Sequence, residues 1–396
     1  MVPEIREQFN AAFSKANYEQ FVEHIKNAYP NSLAFRVAET PIFIDKSFKS
    51  KVLEACESIV DVIVSPDFKQ LTENAIPVKE RVPNENNHTD FIAFDFGICI
   101  NDKGEYEPQL IEMQGFPTLF GYQVAEDEIT RQFFNIPENY SPFLNGFNKD
   151  SYVRLLKDII IGDHAPEEAI LLEIYPFKQK TAVDFIATKE LLGISIVCLT
   201  ELIAEGKCLY YMHNGKKQRV KRIYNRIIFD ELDQIELPAG TIDIRDEYSV
   251  EWAPHPNWFY RISKYTLPFI NSPYVPKTQF LNKLESIPED LENYVLKPLF
   301  SFAGQGVNID ITKEDILNTP NPENWILQRK VTYAEVIKTP DIPSKAEIRI
   351  FYFWPPKAER PVATMNLARL SKGKMIGVRY NNDKEWVGGT IVYFEE

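Results

Sequence analysis

Apolar residues recur at mixed three- and four-residue spacing through "EQFNAAFSKANYEQFVEHI" (7–25) and again through "SFKSKVLEACESIVDVIV" (47–64). That period lines one side of an α-helix, so residues 1–60 read as helical, with Ser47 as N-cap of the second run. After residue 90 the period shortens. "FIAFDFGICI", the turn "NDKGEY" and "PQLIEM" predict a β-hairpin whose loop is marked by Asn101, Asp102 and Gly104. A polar, proline-containing region follows to about residue 165. The pattern then becomes α/β: strand "EEAILLEIY", helix "TAVDFIATKELLG" stopping at Gly193, strand "ISIVCLT", and a short hairpin turning at Asn214-Gly215 that leads into "NRIIFDEL". From 255 the chain reads as a series of strands: "FYRISKYTLPFI", "YVLKPLFSFAGQGVNIDI", "NWILQRKV", "AEIRIFYFW", "VATMNLARLS", "KMIGVRYNN" and "GGTIVYFEE". No internal repeat or low-complexity tract interrupts it.

Composition narrows the class. The 396 residues are 44% apolar and 26% charged, with 27 Phe and 19 Tyr. Such a chain buries a large core, and its length calls for two or three domains. A net charge of -13 argues against a nucleic-acid partner, since a phosphate backbone needs a basic face, but leaves room for a local basic pocket that takes a nucleotide. The four cysteines and five histidines are scattered, with no CxxC pair, which speaks against a zinc site. No apolar run approaches the ~18 residues of a membrane span and no leader pattern opens the chain, so a soluble, cytoplasmic protein is expected.

Within this frame a few residues carry chemistry. Lys297 sits in the apolar run "YVLKPLF", which leads into a loop of small residues, Ser301, Ala303, Gly304 and Gly306, and then into another strand-like segment. No Lys-Ser/Thr follows the glycines, so a Walker A cradle is absent. A strand–glycine loop–strand admits two readings: a flap whose backbone N–H groups approach phosphate oxygens, or a plain hairpin with an exposed lysine. Lys264, in "ISKYTLPFI", is either a second phosphate contact or a solvated surface group. "NWILQRKV" turns polar at Gln328, which suits an edge offering backbone groups to an adenine and equally a strand reaching the surface. The hairpin places Asp95 on one arm and Glu112 and Gln114 on one face of the other, oxygen donors suited to Mg²⁺ beside phosphates or simply acids facing water. Arg349, Arg369 and Arg226 fall in apolar strands, where each needs a partner: a structural carboxylate such as Glu347, or a bound phosphate or carboxylate.

In this order the segments resemble the ATP-grasp amide ligases, specifically the circularly permuted branch exemplified by glutathionylspermidine synthase. "FDFGICINDKGEYEPQLIEMQGFPT" is similar to that branch's metal-binding hairpin, "LLEIYPFKQKTAVDF…GISIVCLTELI…YNRIIFDEL" to its pre-ATP-grasp lobe, and "SKYTLPFI" with "YVLKPLFSFAGQGV" to its two nucleotide lysines and glycine loop. The resemblance spans roughly 90–396. It implies an α/β (α+β) fold with a permuted ATP-grasp segment over 90–160, a small α/β lobe over 165–255 and nucleotide-binding lobes over 256–396, preceded by the helical region that the spacing predicts over 1–90. It also implies that Lys264, Lys297, Ser301, Ala303, Gly304 and Gly306 bind ATP phosphates. Gln328, Arg329, Lys330 and Val331 would border the adenine. Asp95, Glu112 and Gln114 would hold Mg²⁺, Arg369 and Arg349 would stabilise the transferring phosphoryl group, and Arg226 would meet substrate. The chain departs from the pattern twice: Gln114 stands where Asn is usual, and Ala93 where Arg is usual. The implied activity is ATP-dependent amide-bond formation between a small-molecule or peptide carboxylate and an amine, through an acyl phosphate. The alternatives are a small-molecule kinase, recognisable by ADP release without an amine, and a nucleotide-binding pseudoenzyme. Acid and amine are not legible. The segment "ENNHT" (Glu85 to Thr89) reads as a plain loop or as acceptor lining. Ligases of this kind are often dimers, so a homodimer is consistent with the resemblance.

Overall fold

The computed structural model describes residues 2–300, 306–373, 376, 381 and 383–396. Five antiparallel strands make its central sheet, in the order Gly388–Thr390, Val362–Ser371, Lys345–Phe353, Phe91–Ile100 and Tyr106–Gln114. The last two are the expected hairpin. Its turn closes because Asn101 Oδ1 accepts from the N–H groups of Lys103 and Glu105 (3.0 and 2.9 Å), while Gly104 takes φ +79°.

Period-2 alternation gives this sheet two unlike faces. Phe94, Phe96, Ile98, Ile348, Ile350 and Leu370 share a core with the buried side of helix Lys46–Ile63. The opposite face divides along its length. At one end Phe91, Phe351, Phe353 and Met365 pack with Phe120 and with Tyr152 and Leu156, from helices Phe120–Phe133 and Lys149–Ile160. At the other end the same strands carry Asp95, Glu347, Arg349 and Arg369.

A second sheet is wholly parallel: Glu251–Ala253, Arg222–Asn225, Ala169–Glu173 and Ser195–Cys198, with helix Ala182–Leu192 in its crossover, ended by Gly193 at φ +75° as expected. A third, antiparallel sheet joins Thr278–Phe280, Trp325–Arg329 and Tyr294–Pro298. After the glycine loop the chain returns to this sheet at one residue pair, Leu296 and Asn308, through two bonds of 2.9 Å. Ser301, Ala303 and Gly304 lie outside the described residues, as does most of "KMIGVRYNN"; Gly306 is described, at φ +73°.

Several expectations need correction. The helix after residue 45 is capped by Asp45, whose Oδ1 accepts from Phe48 N–H at 2.8 Å; Ser47 already lies in the first turn. The N-terminal run is two helices, Pro3–Ala12 and Lys15–Ala28, and a buried strand, Ile42–Ile44, too short to show a period, pairs in parallel with Val392–Glu395. The supposedly polar region holds helices Phe120–Phe133 and Lys149–Ile160. The first escaped notice because it is enclosed, burying Gln123, Glu126, Asp127 and Thr130 along with its apolar residues. "FYRISKYTLPFI" is not a strand: it forms helix Asn257–Arg261 and a tighter turn, Lys264–Phe269, containing Pro268. Among the described residues no helix is long and apolar enough to cross a membrane.

Candidate functional site

A missing side chain brings the Lys264 segment onto the hairpin. Gly115 N–H donates to Ile262 O at 2.9 Å, and a Cβ at Gly115 would lie 2.6 Å from the Trp258 carbonyl oxygen, so only glycine permits the contact. Lys264 Nζ then stands 3.5 Å from Glu112 Oε1. A bulge prepares the second lysine. Asp95 pairs with Glu112 and Phe96 with Leu110, leaving Ile111 without an opposite residue. Its carbonyl accepts from Lys297 Nζ at 3.2 Å, and Gln328 Oε1, one diagonal step away on the neighbouring strand, accepts from the same ammonium at 2.6 Å. Burial lowers the Lys297 pKa to about 8, with Glu112 pulling it up and Lys264 pushing it down. Glu112, Gln114, Asp230, Tyr260, Lys264 and Phe300 line one cavity of about 30 Å³. Burial also pushes the Asp230 carboxyl up, opposed in part by Tyr260.

The strand register sets a charge ladder beside these lysines. Arg349 lies directly across from Asp95, and Glu347 lies between Gly97 and Arg369. Asp95 accepts from Arg349 Nε and, at 2.5 Å, from Arg349 Nη2; Arg369 Nη2 donates to the same carboxylate at 2.8 Å and to Glu347. Burial raises the Asp95 carboxyl, but Arg349 and then Arg369 outweigh it and hold the pKa below the usual range. Glu347 moves the other way: burial raises it, and Asp95 adds to the rise against Arg369. Tyr333 hydroxyl donates to Glu347 at 3.3 Å. Its ring occupies the space that Gly97 leaves, 2.7 Å from where a Cβ would be. Thr118 closes the ladder, its Oγ1 accepting from Arg349 Nη1 at 3.0 Å.

The remaining candidates fall elsewhere. Arg226 is a correction: it is interior, 4% exposed, and donates to Asp184 Oδ2 (2.9 Å) and Thr118 O (2.7 Å), so no substrate reaches it. Arg329 and Lys330 are exposed and point outward, to Asp290 at 2.8 Å and Glu292 O at 2.7 Å; their backbone N–H groups donate to Lys277 O and Asn293 O. Val331 follows the end of that strand, half-buried. Glu85 pairs with Arg261 at 2.8 Å and Lys69 at 3.1 Å. Sequence reasoning missed Thr118, Asp230, Tyr260 and Tyr333. Thr118, Asp230 and Tyr260 lie in the segments quoted above, whereas Tyr333 falls just beyond one of them.

Of the donors expected for a metal, Glu112 lies directly opposite Asp95 and Gln114 two residues on, opposite Ala93. Both Asp95 oxygens face guanidinium groups, and among the described residues no cluster of three or more His, Cys, Asp or Glu side chains is placed to hold an ion. Glu112 and Gln114, on the cavity wall, fit a cation beside a phosphate; Asp95 does not.

No protein-family model matches the sequence, and a search of curated proteins finds no match. Among solved structures the chain is similar to a glutathione synthetase-like effector from Globodera pallida in its apo form, with TM-score 0.59 and 12% identity over 96% of each chain. At that identity the likeness is one of fold: a mixed α/β molecule of several sheets.

Proposed function

We propose that the chain is an ATP- and Mg²⁺-dependent carboxylate–amine ligase built on a circularly permuted ATP-grasp fold. What carries this reading is convergence: Lys264, Glu112 and Gln114 line one cavity, Lys297 reaches the same hairpin strand at Ile111 O, and Arg349 and Arg369 hold Asp95 directly opposite Glu112. The fold likeness to a glutathione synthetase-like protein supports the same class. A substrate carboxylate attacks the γ-phosphorus, ADP leaves, and an amine displaces phosphate from the acyl phosphate. Such a transfer needs charge neutralisation and alignment more than a protein nucleophile. Lys264 and Lys297 supply positive charge from one side. Arg369, its side chain 39% exposed against 13% for Arg349, is the arginine assigned to the transferring phosphoryl group. A divalent cation, when bound, neutralises phosphate charge. The cavity has room for one or two waters, so a nucleotide would be held at its mouth rather than inside it.

One observation favours a second reading, nucleotide binding without turnover: Asp95 is held by two arginines. A thermal-shift titration with ATP, with and without Mg²⁺, on wild type and Lys297→Ala tests the nucleotide site. At a hundredfold excess over Kd, a ligand that binds only the folded state adds about 2.7 kcal/mol. A shift that Lys297→Ala abolishes supports the site, and screening acids and amines for ADP release then separates ligase from binder. No shift with any nucleotide refutes both.

A further inference from the structure

We infer that Asp95 is not a metal ligand in this chain but the positioning residue for Arg349 and Arg369, and that any divalent cation at the site rests on Glu112 and Gln114. The inference builds on the proposed nucleotide site, yet half of it stands on geometry alone. Asp95 is 2% exposed and sits directly across the strand from Arg349, which grips both carboxylate oxygens through Nε and Nη2. Arg369 takes a further bond on Oδ2. Thr118 Oγ1 accepts from Nη1 at the other end of the Arg349 guanidinium, and Glu347 shares Arg369 Nη2 with Asp95. A cation binding Asp95 would have to displace a bidentate, buried guanidinium and leave it without its partner, a change that costs far more than losing a solvent-exposed pair. Glu112 is under no such constraint. It lies opposite Asp95 but is 37% exposed, faces the cavity beside Gln114, and its carboxylate meets Lys264 at 3.5 Å.

Ala93 sharpens the assignment. It lies across the hairpin from Gln114 and across the next strand pair from Phe351, and offers no cation. Arg349 and Arg369 therefore carry the positive charge on this face of the sheet, and Asp95 aims them.

The test uses Mn²⁺ as the probe, read by the loss of its free-ion EPR signal on titration into protein with ATP. Glu112→Gln and Gln114→Leu are expected to weaken Mn²⁺ binding at least about tenfold, whereas Asp95→Asn stays within about threefold of wild type. Because Asp95→Asn strips two arginines of their anion and can fail to fold, Arg349→Met serves as a second variant. Releasing Asp95 from its arginine should strengthen Mn²⁺ binding several-fold. Loss of Mn²⁺ affinity in Asp95→Asn equal to that in Glu112→Gln, or weaker binding in Arg349→Met, would overturn the inference. If wild type takes up no Mn²⁺ with ATP, the nucleotide reading fails, and the positioning role is decided on the same samples without ligand. Asp95→Asn, Arg349→Met and their double variant should then show strongly non-additive losses in melting temperature. Additive losses, or an Asp95→Asn protein melting with wild type, would sink it.

Discussion

Two aspartate–arginine pairs stand on either side of Thr118, and they differ in almost everything except their chemistry. On one side Asp184 and Arg226 meet at 2.9 Å with side chains 0% and 4% exposed. Asp184 Oδ1 also accepts from Gly121 and Tyr122 N–H at 2.8 and 3.0 Å, so the pair fastens the start of helix Phe120–Phe133 to the parallel sheet. On the other side Asp95 holds Arg349 and the half-exposed Arg369 beside the lysine cavity. Thr118 binds both, its carbonyl to Arg226 and its hydroxyl to Arg349. The closed pair is architecture; the open pair keeps part of its surface in solvent. Residue type cannot tell them apart, because covering by other segments decides the role.

The largest effect should come from breaking the closed pair. Asp184→Asn or Arg226→Met leaves an uncompensated buried charge and removes an anchor for a helix start, at a cost of about 3–5 kcal/mol. Urea denaturation should show the midpoint falling sharply. A midpoint unchanged within error would mean that the closed pair is no more structural than the open one.

The next effect is on binding and reads the open side. With its pKa near 8, Lys297 is mostly charged at pH 7 and mostly neutral at pH 9. If the ammonium is what meets phosphate, nucleotide affinity falls about tenfold over that range. For stability the sign is opposite. A lysine whose folded pKa lies below its unfolded value carries a penalty at low pH that is relieved as pH rises through about 8, so Lys297 makes the ligand-free protein more stable in that direction. Calorimetric titration at pH 7 and 9 checks the first, with Lys297→Arg expected to flatten the dependence. A flat wild-type profile would remove Lys297 from the contact set.

Gly97→Ala should give the smallest change. A methyl there meets the Tyr333 ring, which must shift at a cost of roughly 1–2 kcal/mol. The Tyr333–Glu347 bond should weaken while Asp184 and Arg226 are untouched. Thermal melting gives the cost, and near-ultraviolet circular dichroism the altered tyrosine environment.

The sequence by itself determined the elements whose signal is local. The hairpin of Asp95 and Glu112 follows from two strand-like runs joined by an Asn-Asp-x-Gly turn. The helix ending at Gly193 follows from an unbroken run without proline that stops at a glycine. The pairing of Glu347 with a neighbouring base was legible as a need, since a charge two residues from Arg349 in an apolar strand must find a partner. Only the tertiary structure decided which arginines are enclosed and which keep contact with solvent. Arg226 and Arg349 have nearly the same local setting, and what separates them is the helix laid over one and the cavity beside the other. It also decided that Asp95 faces guanidinium on both oxygens, because that depends on register between strands some 250 residues apart, a distance over which no local period reaches.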